Sequence, residues 1–264
     1  MTNKKLYLAM GCCLAVMLGG CAGSADQQLP PQLETKTVIK SGRPMVVYPG
    51  FLPPERYPAY QNSIPKAPAD NSLVTANDRQ VYKDTRKLKG TQEWSDAAYF
   101  AFYSTDVMCE FFSRELGLEI SAQKTPWTYY IVARAYSDAK YGGSKPIKKS
   151  YFRTRPYVFF KDRTCSTQVD DDEQAKTSSY PSNHSTYGNL LGLIFSELLP
   201  EKQLAAIDAG RKFAFYRVVC GYHWLSDTEA AALVAGYVFA RLQADPEFNH
   251  AMQMAKAELS QQVL

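Results

Sequence analysis

The chain has 264 residues, 21% of them charged, with 30 lysines and arginines against 26 aspartates and glutamates, a net charge of +4 with neutral histidines. So small a basic excess argues against a nucleic-acid binder, which would carry a strong positive surplus on its domain. Three histidines in all leave little material for a histidine-rich metal centre, and beyond the N-terminus no uninterrupted apolar run approaches the length that spans a bilayer.

Lys4 and Lys5 precede an apolar run over residues 6–18 that is too short for a spanning helix and is followed by small residues, so residues 1–20 read as a signal peptide. Leu18-Gly19-Gly20-Cys21 resembles a lipobox, in which Cys21 is lipidated and becomes the first mature residue. Several acyl chains on one residue anchor a chain without a transmembrane helix. Ala22, where an aspartate would resemble an inner-membrane retention signal, favours the outer membrane, facing the periplasm. Residues 21–70 carry Pro30, Pro31, Pro53, Pro54, Pro58, Pro65 and Pro68, which block regular helix. They are expected to form a tether that touches the domain at Tyr48, Phe51 and Tyr57. Cys12 and Cys13 leave with the signal, so Cys109, Cys165 and Cys220 allow one bridge and one free thiol, with no pairing preferred.

From Asn77 onward the texture changes to apolar residues at three- and four-residue spacing. Helices are predicted over 79–88, 94–116, 126–141, 147–153, 184–199, 201–222, 227–244 and 246–261. No persistent two-residue alternation accompanies them, so residues 71–264 are expected to form one all-α domain. Asp245-Pro246-Glu247 supplies an N-cap, a proline at the first helical position and an early acid. Ser226 is expected to cap the helix led by Asp227, and Gly221 to turn the chain so that His223 projects from a junction between helices.

Three blocks in this region carry chemistry: Lys148 with Arg155-Pro156, then Pro181-Ser182-Asn183-His184, then Arg217 through Cys220-Gly221-Tyr222-His223-Trp224 to Asp227. In this order they resemble the signature of class A bacterial non-specific acid phosphatases, in the type 2 phosphatidic acid phosphatase superfamily that also holds the vanadium haloperoxidases. Ser179-Tyr180 and Asp245-Pro246-Glu247-Phe248 resemble that class too, and the likeness covers residues 70–262. Asn183 stands where the family has glycine, and Tyr216 where it has serine.

The residue types suit hydrolysis of a phosphate monoester, which needs charge neutralised, an in-line nucleophile and a proton for the leaving oxygen. Arg155 and Arg217 offer planar forks for phosphate oxygens and Lys148 a movable third charge. Arg217 sits among apolar neighbours, where an unpaired guanidinium is costly and calls for an anion. Lys149, one residue off the spacing, is expected to face solvent. His223 is the expected nucleophile, oriented by Asp227 one helical turn on. A histidine and an aspartate four apart are nonspecific by themselves, being as often a surface contact or part of a metal site. His184 is the expected general acid, at a helix start whose amides point at an anion, with Ser182 and Asn183 completing the phosphate cradle. His250 has no assigned role.

The resemblance implies metal- and cofactor-free hydrolysis of small phosphate esters such as nucleotides and sugar phosphates, with vanadate as an inhibitor. The paired positive charges imply an acidic optimum. A homo-oligomer is compatible with this reading. A lipid-phosphate phosphatase, a vanadate-dependent haloperoxidase and a lipoprotein with a decayed site are the rival readings. Retention of the lysine, both arginines, both histidines and the aspartate argues against the last.

Overall fold

The structure is a computed structural model that describes residues 28–262, so Cys21 and the signal segment lie outside the described residues. A hairpin of β1 (Lys36–Lys40) and β2 (Arg43–Val47) comes first. Lys36 pairs with Val47 and Lys40 with Arg43, and the two turn residues Ser41 and Gly42 both take positive φ, as a tight two-residue hairpin turn requires. The helices follow: α1 (Leu73–Arg86), α2 (Gln92–Tyr99), α3 (Thr105–Leu116), α4 (Pro126–Ser137), α5 (Lys145–Lys148), α6 (Pro156–Phe159), α7 (Gln168–Ala175), α8 (Asn183–Leu198), α9 (Gln203–Val219), α10 (Leu225–Leu242) and α11 (Pro246–Ser260). The all-α expectation holds, with the hairpin as its one addition.

The centre is the α8–α9 pair, flanked by α10 and by α4. Close approach of α8 and α9 depends on small residues: a Cβ at Gly210 would stand 2.7 Å from the Gly188 carbonyl oxygen. Leu190, Leu191, Ile194, Phe195, Phe213 and Val219 fill the contact and are fully buried. No helix among the described residues is long and apolar enough to cross a membrane.

Local chemistry explains where the element boundaries differ from those expected. The predicted helix 94–116 is two helices, because Ser104 caps α3 by accepting the Val107 amide at 3.3 Å and the chain breaks between Tyr99 and Thr105. The predicted helix 126–141 widens after Ser137 into a π-helical turn, Asp138–Ser144, that runs into α5. The predicted helix 147–153 is displaced to Lys145–Lys148. The short helices α6 and α7 were not foreseen; α7 (QVDDDEQA) shows almost no apolar period. Ser226 is not a cap but lies inside the first turn of α10, whose N-cap is Trp224.

In its described part, the segment expected to be a tether is laid onto the helical domain. Met45, Phe51, Leu52, Tyr57, Tyr60 and Ile64 are buried in the common core. Asp138 on the π turn holds this strap, accepting the amides of Phe51 (2.9 Å) and Leu52 (3.2 Å) and the Tyr57 hydroxyl (2.7 Å). Burial raises the Asp138 carboxyl to about 6, against the pull of those three donors. Cys165 and Cys220 form the disulfide, with Cα atoms 4.8 Å apart, and Cys109 is a free, buried thiol.

Candidate active site

His223 stands in the short junction between α9 and α10, where Gly221 takes a φ of +89° that a side chain would strain. Its Nδ1 lies 3.4 Å from an Asp227 carboxylate oxygen and its Nε2 3.1 Å from Arg155 Nη1. A guanidinium only donates, so Nε2 is the acceptor and Nδ1 carries the proton directed at Asp227. That tautomer leaves the lone pair on Nε2, beside a cation, as a nucleophile toward phosphorus requires.

Asp227 is fully buried and is itself held. One oxygen accepts Arg153 Nη1 at 2.6 Å and the other the Trp224 amide at 2.9 Å. The other fork of Arg153 reaches Asp78 on α1 at 2.8 Å, and Asp78 also accepts the amide and hydroxyl of Ser226. Arg153 and Arg155, two residues apart in an extended segment, thus divide their work, one fixing the aspartate and the other meeting the histidine. The sequence reading missed Arg153 and Asp78; the Arg-x-Arg spacing was the one available signal.

Arg155 precedes Pro156, which keeps it extended at the entry to α6. Its guanidinium is 3% exposed and donates to the carbonyls of Gln174 and Tyr222 and to the side chains of Gln174 and Thr177. Burial, aided by Arg217, lowers it to about 10. Lys148 Nζ donates to the carbonyls of Ser178 (2.6 Å) and Ser179 (3.1 Å). Burial and the nearby Arg155 hold its amine well below the usual lysine value.

His184 opens α8 and donates Nε2–H to the Ala101 carbonyl at 3.1 Å, leaving Nδ1 as the nitrogen free to exchange a proton. Tyr103 meets its ring edge-to-face, with centroids 3.9 Å apart. Both partners come from the break between α2 and α3; in one continuous helix the Ala101 carbonyl would be spent on the helix. Arg217 donates to the same carbonyl at 3.4 Å and lies over the Tyr222 ring at 4.3 Å. It is 3% exposed, its Nε has no partner, and no carboxylate stands within ion-pair distance among the described residues. A buried guanidinium left in this state is costly unless an anion joins it.

Ser182 is fully buried and caps α8 through its hydroxyl, which accepts the Ser185 amide and hydroxyl at 3.2 and 2.8 Å. What remains for a phosphate is its hydroxyl proton. Asn183 is half-buried on the cleft wall, its side-chain oxygen taken by the Ser144 hydroxyl. Of the first-turn amides of α8, that of Ser185 is taken by the Ser182 cap, and those of Asn183 and His184 have no intrahelical acceptor.

A cleft of about 540 Å³ gathers Lys148, Arg155, Asn183, His184 and His223, with Lys40 and Lys140 besides. Asp227, Ser182 and Arg217 stand behind its wall. Lys149 is exposed, as expected, but at the rim of the cleft. A somewhat larger groove of about 660 Å³, beside Leu193, Phe215 and Leu225, contains none of these residues. Among the described residues no group of three or more histidines, cysteines, aspartates or glutamates could hold a metal ion. The positive charge this chain offers a phosphate is that of its own lysines and arginines.

Residues 127–248 match the family described as the PAP2 superfamily, and this span contains all three blocks. The chain is 34% identical over 210 residues to the non-specific acid phosphatase of Salmonella typhimurium, covering 80% of this chain and 84% of that one. It is likewise 34% identical over 197 residues to the non-specific acid phosphatase of Providencia stuartii, covering 75% and 79%. To the acid phosphatase of Zymomonas mobilis it is 31% identical over 192 residues, covering 73% and 72%. The chain belongs to the PAP2 superfamily, among its non-specific acid phosphatases. Phosphate-monoester hydrolysis is therefore its chemistry.

The two departures from the acid phosphatase pattern fall differently. Asn183 is at the cleft. Tyr216 is buried, stacks on Phe100 and donates to Asp96 at 3.1 Å, away from the residues lining the cleft. Its phenol therefore does not narrow the pocket, although it neighbours Arg217 in the chain.

Proposed function

We propose that the protein hydrolyses small, water-soluble phosphate monoesters, nucleotides and sugar phosphates among them, through a phosphohistidine on His223. The observation that carries this is the Arg155–His223–Asp227 chain, which puts the lone-pair nitrogen Nε2 at a cation-lined cleft, in a hydrogen bond that Arg155 gives up when its guanidinium turns to a phosphate. Arg155, Arg217 and Lys148 neutralise the phosphoryl oxygens, with the first-turn amides of α8 and the Ser182 hydroxyl beside them. His223 Nε2 forms a bond to phosphorus as the ester P–O bond breaks. The departing oxygen takes its proton from His184 Nδ1. Neutral His184 then takes a proton from water, whose oxygen attacks phosphorus; the P–N bond breaks with its electron pair returning to Nε2, and phosphate leaves. Positive charge developing on His223 is balanced by Asp227.

The electrostatics favour an acidic optimum. Burial and then Arg155 and Lys148 push His223 well below the ordinary histidine value, which keeps it neutral for attack. Burial and then Arg217, Lys40 and His223 push His184 down as well, so its catalytic proton is held only at low pH or beside a bound anion. The envelope anchor through lipid on Cys21 is part of the same proposal; it rests on the lipobox-like sequence, and Cys21→Ser should abolish fatty-acid labelling.

Rapid-quench single turnover with ³²P-labelled p-nitrophenyl phosphate, with chelator present, tests the mechanism. Wild type should give an acid-labile phosphoenzyme that is absent from His223→Ala. His184→Ala should still accumulate it, because a good leaving group needs little protonation. Label retained in His223→Ala, or activity abolished by chelator and rescued by zinc or magnesium, would overturn the assignment. Faster turnover of dispersed phosphatidic acid than of soluble nucleotides would replace the substrate class with lipid phosphates.

A further inference from the structure

The cleft carries more positive charge than one phosphoryl group can use. Six lysines line it, Lys40, Lys140, Lys145, Lys148, Lys149 and Lys176, together with Arg155 and no carboxylate. Among the described residues none of the six stands within ion-pair distance of an acid. Lys148, Arg155 and Arg217 already match a phosphoryl dianion. Of the other five lysines, Lys145, Lys149 and Lys176 are exposed, which leaves Lys40 and Lys140 half-buried and without a task.

Neither is a loose surface lysine. Lys40 ends β1, far outside the matched family span of residues 127–248, and its Nζ lies 4.2 Å from the centroid of Tyr103, the ring that abuts His184. The hairpin tip that delivers it is fastened to α7: the Ser41 amide donates to Glu173 at 3.0 Å and the Ser41 hydroxyl to Asp170. Lys140 projects from the π turn, with its Nζ donating to the Tyr136 hydroxyl at 2.7 Å and lying 5.0 Å from the centroid of Tyr141. Tyr136 also packs on Tyr103, with ring centroids 5.5 Å apart, so the two amines, both lining the cleft, flank one buried aromatic cluster. Burial and neighbouring cations lower Lys40 to about 7 and Lys140 to about 8, a cost that an anion between them would relieve.

We propose that Lys40 and Lys140 form a second anion subsite beside the phosphoryl cradle, and that the preferred substrates are phosphate monoesters bearing a second phosphate or carboxylate group. This deepens the phosphomonoesterase reading and rests on it. The strap thereby supplies a specificity-determining residue that the helical domain lacks. The second anion can come from the same soluble molecule or from a neighbouring lipid headgroup.

The test compares fructose 1,6-bisphosphate with fructose 6-phosphate, which differ by one phosphate, using the full mature chain and its Lys40→Met, Lys140→Met and Lys40→Arg variants. Wild type should favour the bisphosphate in kcat/KM, and each methionine variant should lower that preference about tenfold, the value of one charge-assisted hydrogen bond. Lys40→Arg should largely retain it. A parallel arm offers phosphatidic acid in phosphatidylglycerol or phosphatidylcholine vesicles; a Lys40-dependent preference confined to the phosphatidylglycerol vesicles assigns the subsite to headgroups. Equal losses on both sugars, or no preference in wild type in either arm, would overturn the proposal. Calorimetric binding of the two sugars reads the subsite without turnover, so a wild type inert toward every phosphate ester would sink the phosphatase reading alone.

Discussion

The two histidines of the cleft are both buried and both near cations, yet only one of them has a carboxylate at its ring. His223 has a carboxylate on its Nδ1 side, and that carboxylate is pinned by Arg153 to a second one, Asp78. His184 has a backbone carbonyl and an aromatic edge, and the nearest charges it feels are the cations Arg217 and Lys40. Negative charge fixed beside an imidazole stabilises the cation that the proposed phosphoryl transfer would make of it. An imidazole among cations holds a proton only when a ligand brings negative charge. One environment suits a nucleophile, the other an acid loaded by its substrate.

The sharpest way to break this comparison is to remove each ring in turn. His223→Ala should lose about 10⁴-fold or more in kcat, as removal of an essential nucleophile does. His184→Ala should lose far more on an alkyl phosphate than on p-nitrophenyl phosphate. Equal sensitivity of both variants to the leaving group, in steady-state rates across a series of phenyl phosphates, would erase the distinction.

Asp227→Asn should come next, with kcat down by up to about 10⁴-fold by analogy with a buried triad aspartate. It also leaves Arg153 facing Asp78 alone. Arg153→Met should cost roughly 3–5 kcal/mol in urea unfolding, because two buried carboxylates lose their shared cation. Retention of kcat within threefold in Asp227→Asn would show that the carboxylate does not serve His223.

Loss of the Cys165–Cys220 bridge is expected to cost about 4 kcal/mol in the same assay, from the entropy of the 55-residue loop it closes. The loop carries the segment that holds Arg155 and ends next to His223, so kcat should fall together with stability.

The acid limb of stability is a smaller effect. Both histidines have folded values below the ordinary 6.5, so the unfolded chain binds more protons than the folded one as the pH falls through that value. The histidines' contribution is thus full above 6.5 and is lost on acidification below it, offset in part by Asp138, whose raised carboxyl gains stability as the pH falls through about 6. The melting temperature of the ligand-free protein should drop roughly a few degrees between pH 7.5 and 5, and less with phosphate present, since the anion favours the protonated rings. A melting temperature flat with pH would contradict the burial of two neutral imidazoles. The smallest effect is that of Tyr216→Phe, which should remove about 1 kcal/mol with its bond to Asp96 and leave KM unchanged.

Residue spacing was enough for the helical class and for most of α4 and α8 to α11, while the three blocks were found through their resemblance to the acid phosphatase signature, and Lys148, Arg155, Asn183, His184 and His223 of them line the cleft. Helical period and caps are properties of neighbouring residues, and the blocks lie on segments short enough to be read locally. Tertiary packing decided the rest. The Arg153–Asp227 pair joins residues 74 positions apart, Cys165 could have paired with Cys109 as far as spacing goes, and Lys40 reaches the site on a hairpin from a segment that reads as tether. Ion pairs, disulfides and docked straps close long loops, and which ends meet is set by the shape and polarity of the folded surfaces, to which no local period in the chain gives access.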